Sequence, residues 1–219
     1  MAASTARPQT GGPWPGLIVL QEAFGVNAHI RDVTRRFAAA GYVVIAPELY
    51  HRTAPGFEGS YADFDAIRAH MGALTEAGLS ADLQAAHAWL RAQADVKPDA
   101  TAAVGFCMGG RVAFLANAVL PLAAAVSFYG GGIAPALLGH AAALHGPMLF
   151  FWGGLDQHID AAQRRAVVDA VTVAGRPFLN VEISDADHGF FCDARPSYNA
   201  RAAGFAWDLT LSFLRASLP

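Results

Sequence analysis

Six short apolar runs recur along the chain, and the segments between them place apolar residues three and four positions apart. The runs are residues 17–21 (LIVLQ), 42–46 (YVVIA), 101–106 (TAAVGF), 124–129 (AAVSFY), 148–152 (MLFFW) and 178–183 (FLNVEI). Each is rich in β-branched or aromatic residues and bounded by Gly or Pro, which predicts strands buried on both faces. Ile30, Val33 and Phe37 share a helical face behind an Asn27 cap, with Gly41 as the stop. Phe64, Ile67, Met71 and Leu74 repeat in the same way. Ser80 is the expected cap of a segment holding Leu83 and Leu90, and Val167, Val168 and Val171 line another helix. Further helices are expected directly after Cys107 and over residues 200–214.

Strands alternating with helices of this length imply an α/β fold: a mostly parallel sheet of six or seven strands with helices on both faces. In such a sheet ligands bind beyond the carboxyl ends of the strands. Four chemically useful side chains fall there: Glu22 after the first run, Cys107 after the third, Asp156 after the fifth and His188 after the sixth.

Composition changes this picture in a few places. The 219 residues fit one large domain, long enough to bury roughly 70% of the surface its unfolded chain would expose. We divide it into an N-terminal extension, residues 1–15, and a single domain, residues 16–219. With 15 Lys+Arg against 18 Asp+Glu and a net charge of −3, no basic stripe exists for nucleic acid. Two cysteines suit a reducing compartment, and the Pro- and Gly-rich opening lacks the apolar centre of a signal peptide, so a cytoplasmic location is expected. Residues 112–155 carry no Asp, Glu, Lys or Arg, which invites a membrane reading. Pro121, Gly130, Gly131, Gly132, Pro135 and Pro147 interrupt them too often for a span, so this segment is expected to be core.

Gly105-Phe106-Cys107-Met108-Gly109 has the spacing of a nucleophile elbow, with Cys in the place usually taken by Ser. The turn from strand to helix forces the nucleophile into a strained backbone, and the flanking glycines let strand and helix approach closely. A helix N-terminus also favours thiolate over thiol. Asp156 and His188 follow Cys107 in the order that elbow hydrolases use, so His188 is the expected proton carrier and Asp156 its orienting acid. Asp160, Asp185 and Asp187 are competitors for that acid role, and His158 is read as a surface or loop residue. No H-x-x-x-H or C-x-x-C spacing suggests a metal.

Residues 20–52 (LQEAFGVNAHIRDVTRRFAAAGYVVIAPELYHR), 104–110 (VGFCMGG), 150–159 (FFWGGLDQHI) and 187–199 (DHGFFCDARPSYN) together resemble the dienelactone hydrolase family of α/β-hydrolases. The resemblance implies an α/β-hydrolase fold, a Cys107, Asp156, His188 triad, and a Glu22 carboxylate beside the thiol that helps deprotonate it when substrate arrives. It also implies hydrolysis of an ester or lactone through a thioester, with no cofactor. The backbone N–H groups of Met108 and Ala23 are the expected oxyanion donors, the first following the nucleophile and the second opening the loop after the first strand.

The chain also departs from the family pattern. Where the best-studied members carry a substrate-binding Arg four residues after the His, this chain has Cys192. A second family Arg has no counterpart in residues 53–64, which leaves Arg52, Arg68 or Arg195 as substitutes. The short N-terminus is expected to lack the antiparallel hairpin of many relatives, leaving a sheet edge exposed or paired in a homodimer. Two rival readings keep the fold without the chemistry. One is a binder of a small hydrophobic ligand, and the other is a protein-docking module using residues 133–146 as an apolar surface.

Overall fold

The computed structural model describes all 219 residues. Seven strands form one sheet in the order β1-β3-β2-β4-β5-β6-β7. They are β1 (Ala3–Ala6), β2 (Trp14–Leu20), β3 (Val43–Pro47), β4 (Val96–Phe106), β5 (Ala124–Phe128), β6 (Met148–Gly153) and β7 (Phe178–Ile183). All neighbours pair in parallel except β1 and β3. Six helices connect them: α1 (Ala28–Ala39), α2 (Phe64–Gly72), α3 (Glu76–Arg91), α4 (Met108–Val119), α5 (Ala161–Val173) and α6 (Ala200–Ser217). Helices α1 and α6 share one face of the sheet, where the rings of Phe37 and Trp207 lie 4.5 Å apart, and α3 packs beside α4 on the other.

The six predicted strands are all present, because a run apolar on both faces has only a covered parallel sheet to enter. The Asn27 side chain accepts from Ile30 N at 3.2 Å and starts α1 as expected. The cap of α3 is Thr75, not Ser80: the Thr75 hydroxyl accepts from Gly78 N at 3.1 Å, and Ser80 lies a turn inside the helix. The N-terminal extension is also more than a tail. It forms no hairpin, but Ala3–Ala6 pairs antiparallel with β3 and covers that edge of the sheet. The small residues of β1 carry no apolar run, so the partner strand supplies the order that the segment's own sequence does not.

The uncharged residues 112–155 are core. Strands β5 and β6 are buried along their whole length, and no helix is long and apolar enough to cross a membrane. Ile133, Ala134, Leu137, Ala141 and Leu144 also point inward, whereas Pro135, Ala136, Ala142 and Ala143 of the same segment are exposed. Asn117 ties this region together from a fully buried position, donating to Gly146 O at 2.8 Å and accepting from Gly146 N at 2.9 Å.

The register at the carboxyl ends sets the site. Leu20 pairs with Gly105 and Phe106 with Phe128, so the residues just past β2, β4 and β5 emerge side by side. The chain leaves β2 toward β3 and returns to β4 on the opposite side, which makes the β2–β4 boundary the switch point where crevices form. An aromatic ladder lies beneath it: Phe106 on Phe128 at 4.7 Å, Phe128 on Phe151 at 4.6 Å and Phe106 on Phe191 at 5.1 Å.

Two substitutions test this packing. Phe191→Ala removes a fully enclosed ring and is expected to lower unfolding stability by about 3–5 kcal/mol. Gly204→Ala, in the interior of α6 with open space around the added methyl, is expected to raise it by about 0.5–1 kcal/mol. Urea unfolding followed by circular dichroism measures both.

Candidate active site

Cys107 stands at the turn from β4 into α4 with φ 54° and ψ −117°, a left-handed backbone that β-carbon-bearing residues rarely adopt. The turn holds because α4 begins almost in contact with the strands. A Cβ on Gly105 would lie 1.9 Å from Gly109 O, and one on Gly109 would lie 2.2 Å from Leu20 O. Cys107 N donates to Phe128 O at 3.0 Å, which anchors the turn to β5. The thiol is therefore lifted above the sheet edge by backbone packing.

His188 reaches it from the loop after β7. Its Nε2 lies 3.1 Å from Cys107 Sγ, and its Nδ1 lies 2.8 Å from Asp156 Oδ2. The other Asp156 oxygen accepts from His158 N at 2.7 Å and Ile159 N at 3.2 Å, so the acid is oriented by its own loop. The loop carrying His188 is docked by Phe190 and Phe191, both buried. Burial disfavours a charged imidazole here, but the Cys107 sulfur and Asp156 outweigh it and hold the His188 pKa up to about 10. Burial likewise works against the Asp156 carboxylate, yet the His188 hydrogen bond and charge and the two backbone N–H groups keep its pKa below the usual range. The competing acids are engaged elsewhere: Asp160 caps α5, Asp185 pairs with Arg201, and Asp187 accepts from His188 N.

Glu22 is fully buried, and its Oε1 accepts from Arg195 Nη1 at 3.2 Å instead of from the thiol. Its other oxygen has no hydrogen-bond partner. Cys192 and His29 crowd the same carboxylate, and the three residues bring ligand atoms within 4.8 Å of one another. No spacing in the sequence announces this trio, because Glu22 follows β2, His29 opens α1 and Cys192 comes from the distant loop after β7. Burial and the Glu22 charge push the Cys192 thiol up to about 11, so it holds its proton next to Tyr61, whose Oη lies 3.3 Å away. A protonated thiol and the guanidinium on Glu22 fit a buried polar network better than a cation site.

The residues expected to donate to an oxyanion meet at one hydroxyl. Tyr50 Oη donates to Ala23 O at 3.0 Å and lies 3.3 Å from Met108 Sδ, which pins the loop after β2 against the start of α4. In the first turn of α4 the Met108 N–H has no partner within the helix. Arg52 does not join the site, because both of its terminal nitrogens are held by Asp82 on α3 at 2.7 and 2.8 Å. Arg68 pairs with Asp65 at the exposed surface of α2.

A cavity of about 220 Å³ opens over the thiol, lined by Cys107, His188, Phe24, Phe64, Met71 and Met108 among others. Arg111, Arg195 and His158 line it too, with no carboxylate among the lining residues. Three of its neighbours escape the sequence reading. His158 is the exposed loop residue expected, but its ring also lies 5.1 Å from that of His188 and lines the cavity. Arg111 comes one helical turn after Cys107, a spacing that places both on one face of α4. Tyr129 follows β5 as Glu22 follows β2; it is fully buried at φ 38°, with its ring 5.1 Å from His188.

A parallel sheet with an elbow cysteine, a downstream acid and a downstream His at its carboxyl edge has the architecture of an α/β-hydrolase. The sequence model of the Dienelactone hydrolase family matches residues 1–218, and the chain belongs to that family. It is 38% identical to a Synechocystis sp. protein named "Putative carboxymethylenebutenolidase" over all of this chain and 92% of that one. It is 33% identical to the carboxymethylenebutenolidase of Pseudomonas putida, over 92% of this chain and 86% of that one. A crystal structure titled "Putative Dienelactone Hydrolase" from Klebsiella pneumoniae superposes with a TM-score of 0.90 at 34% identity, covering 97% of this chain and 92% of that one.

A group whose folded pKa is raised contributes stability that is complete below its unfolded pKa and gone above its folded one. The contribution of His188 is therefore full below about pH 6.5 and lost as pH rises to about 10. Urea midpoints at pH 6, 8 and 10 should fall across that window. In Cys107→Ala the imidazole loses the partner that raises its pKa most, and its NMR titration midpoint is expected to drop.

Proposed function

We propose that the chain hydrolyses a small carboxylic ester or lactone through a thioester on Cys107. The observation that carries the reading is the 3.1 Å contact between Cys107 Sγ and His188 Nε2, backed by Asp156 at 2.8 Å, at the floor of the cavity. The sulfur attacks the carbonyl carbon, and the oxyanion forms within reach of the Met108 and Ala23 N–H groups. The tetrahedral intermediate collapses with cleavage of the C–O bond, and imidazolium His188 gives its proton to the departing alkoxide. Water then attacks the thioester with His188 as base, releasing the acid and restoring the sulfur. Asp156 keeps the proton of Nδ1 in place throughout. For a lactone the alkoxide stays tethered to the acyl group. No step needs a cofactor.

Two guanidinium groups and no carboxylate line the cavity, which favours a substrate with an anionic group. Arg195 is the residue we assign to it: 15% exposed, it faces the cavity while holding Glu22. A substrate carboxylate arriving there competes with Glu22 for the same guanidinium. Glu22, released from the guanidinium, is then free to accept the thiol proton while His188 stays imidazolium, and returns it to the sulfur when the product leaves and Arg195 is recovered.

Cys107→Ala is expected to lower kcat/KM for p-nitrophenyl acetate and for unsaturated lactones by at least about 10,000-fold. Rates equal to wild type would rule out Cys107 as the nucleophile. Arg195→Met is expected to raise KM about tenfold or more for a carboxylated lactone and less for a neutral ester; equal effects on both would remove the anion-binding assignment.

A further inference from the structure

A second cavity of about 180 Å³ lies beyond the first, and Arg111 is the one residue that lines both. The geometry explains how they meet. Arg111 and Leu115 are spaced i, i+4 on α4, whose N-cap is Cys107, so one stripe of the helix leads from the end that carries the nucleophile, past Arg111, into the second cavity. That cavity is walled by Leu79 of α3, Val112 and Leu115 of α4, and Ala136 and Leu137 of the loop after β5. Its one acid, Glu76, is already held by His140 Nε2 at 3.0 Å.

Arg111 is suited to a passage. It has no salt-bridge or hydrogen-bond partner among the side chains, whereas Arg52 and Arg195 are both held by carboxylates. Its stem lies against Gly132, where a Cβ would meet Arg111 Cδ at 3.2 Å. Arginine stems offer apolar surface along their length. An unanchored side chain of this kind can turn aside and still present its methylenes to a passing chain.

We propose that the second cavity is an acyl-chain subsite, and that the enzyme accepts esters whose acyl group is a linear aliphatic chain running from Cys107 past Arg111 into it. The assignment rests on the reading of Cys107 as nucleophile. The acyl half occupies this route because the alkoxide must depart toward His188, which lines the first cavity and not the second. Four helical residues span about 6 Å, so the chain reaches Arg111 only after several carbons and enters the second cavity beyond that.

A p-nitrophenyl ester series from acetate to octanoate tests this with the intact enzyme. From butanoate onward kcat/KM is expected to rise by up to about fourfold per methylene, the transfer value of a buried CH₂. Ala136→Trp, at an exposed position on the cavity wall, is expected to flatten that rise, lowering the octanoate-to-butanoate ratio about tenfold. A wild-type series that is flat or falls beyond butanoate overturns the subsite, as does an unchanged ratio in a folded Ala136→Trp protein. Cys107→Ala is assayed alongside on acetate: residual wild-type activity there indicts the nucleophile, whereas its loss with a flat series indicts the acyl subsite alone.

Discussion

The close approach of α4 to the ends of β2 and β4 is the constraint on which the site depends. Two glycines permit it, and at both a single added carbon would collide with backbone. This contact forces Cys107 into φ 54° and turns its sulfur out of the core. Backbone strain of this kind costs about 1–3 kcal/mol and persists only where surrounding structure holds it. Here the hydrogen bond to Phe128 O and the stacked ring of Phe106 do so.

The remaining parts answer to that fixed sulfur. Phe190 and Phe191 seat the His188 loop in the same aromatic ladder that begins one residue before Cys107, so a single packed layer positions both the thiol and the imidazole. Asp156 is held by its own loop amides and, after the Cys107 sulfur, offsets the burial of the imidazole. Glu22 is fully buried, with one oxygen on Arg195 and the other unpartnered. A buried carboxylate with half its hydrogen bonds unmade depends on Arg195 for the one charged partner it has.

Cys192 shows how a departure from the family pattern is absorbed. At the position where relatives place an arginine, the chain has a small buried thiol against Tyr61 and Glu22. Arg195 folds back over Gly189, whose φ of 79° leaves no side chain in the way, to bring a guanidinium to the same carboxylate.

The strands, and the meeting of Cys107, Asp156 and His188 at one edge of the sheet, were legible in the sequence. Apolar runs bounded by Gly and Pro have one economical home in a doubly covered sheet, and chemistry-bearing residues after such runs must emerge at its carboxyl edge. The elbow spacing is local, since the glycines and the cysteine lie within five residues. What the sequence left open depends on encounters between distant segments. Strand β1 exists because the edge of β3 receives it, and Thr75 caps α3 because the chain turns there and not at Ser80. Arg52 finds Asp82 while Arg195 finds Glu22, and Arg111 is left between two cavities. Periodicity and spacing record how neighbouring residues share a face; which charges meet across the fold is set only when the loops are packed, because a long side chain reaches whichever partner the backbone brings near.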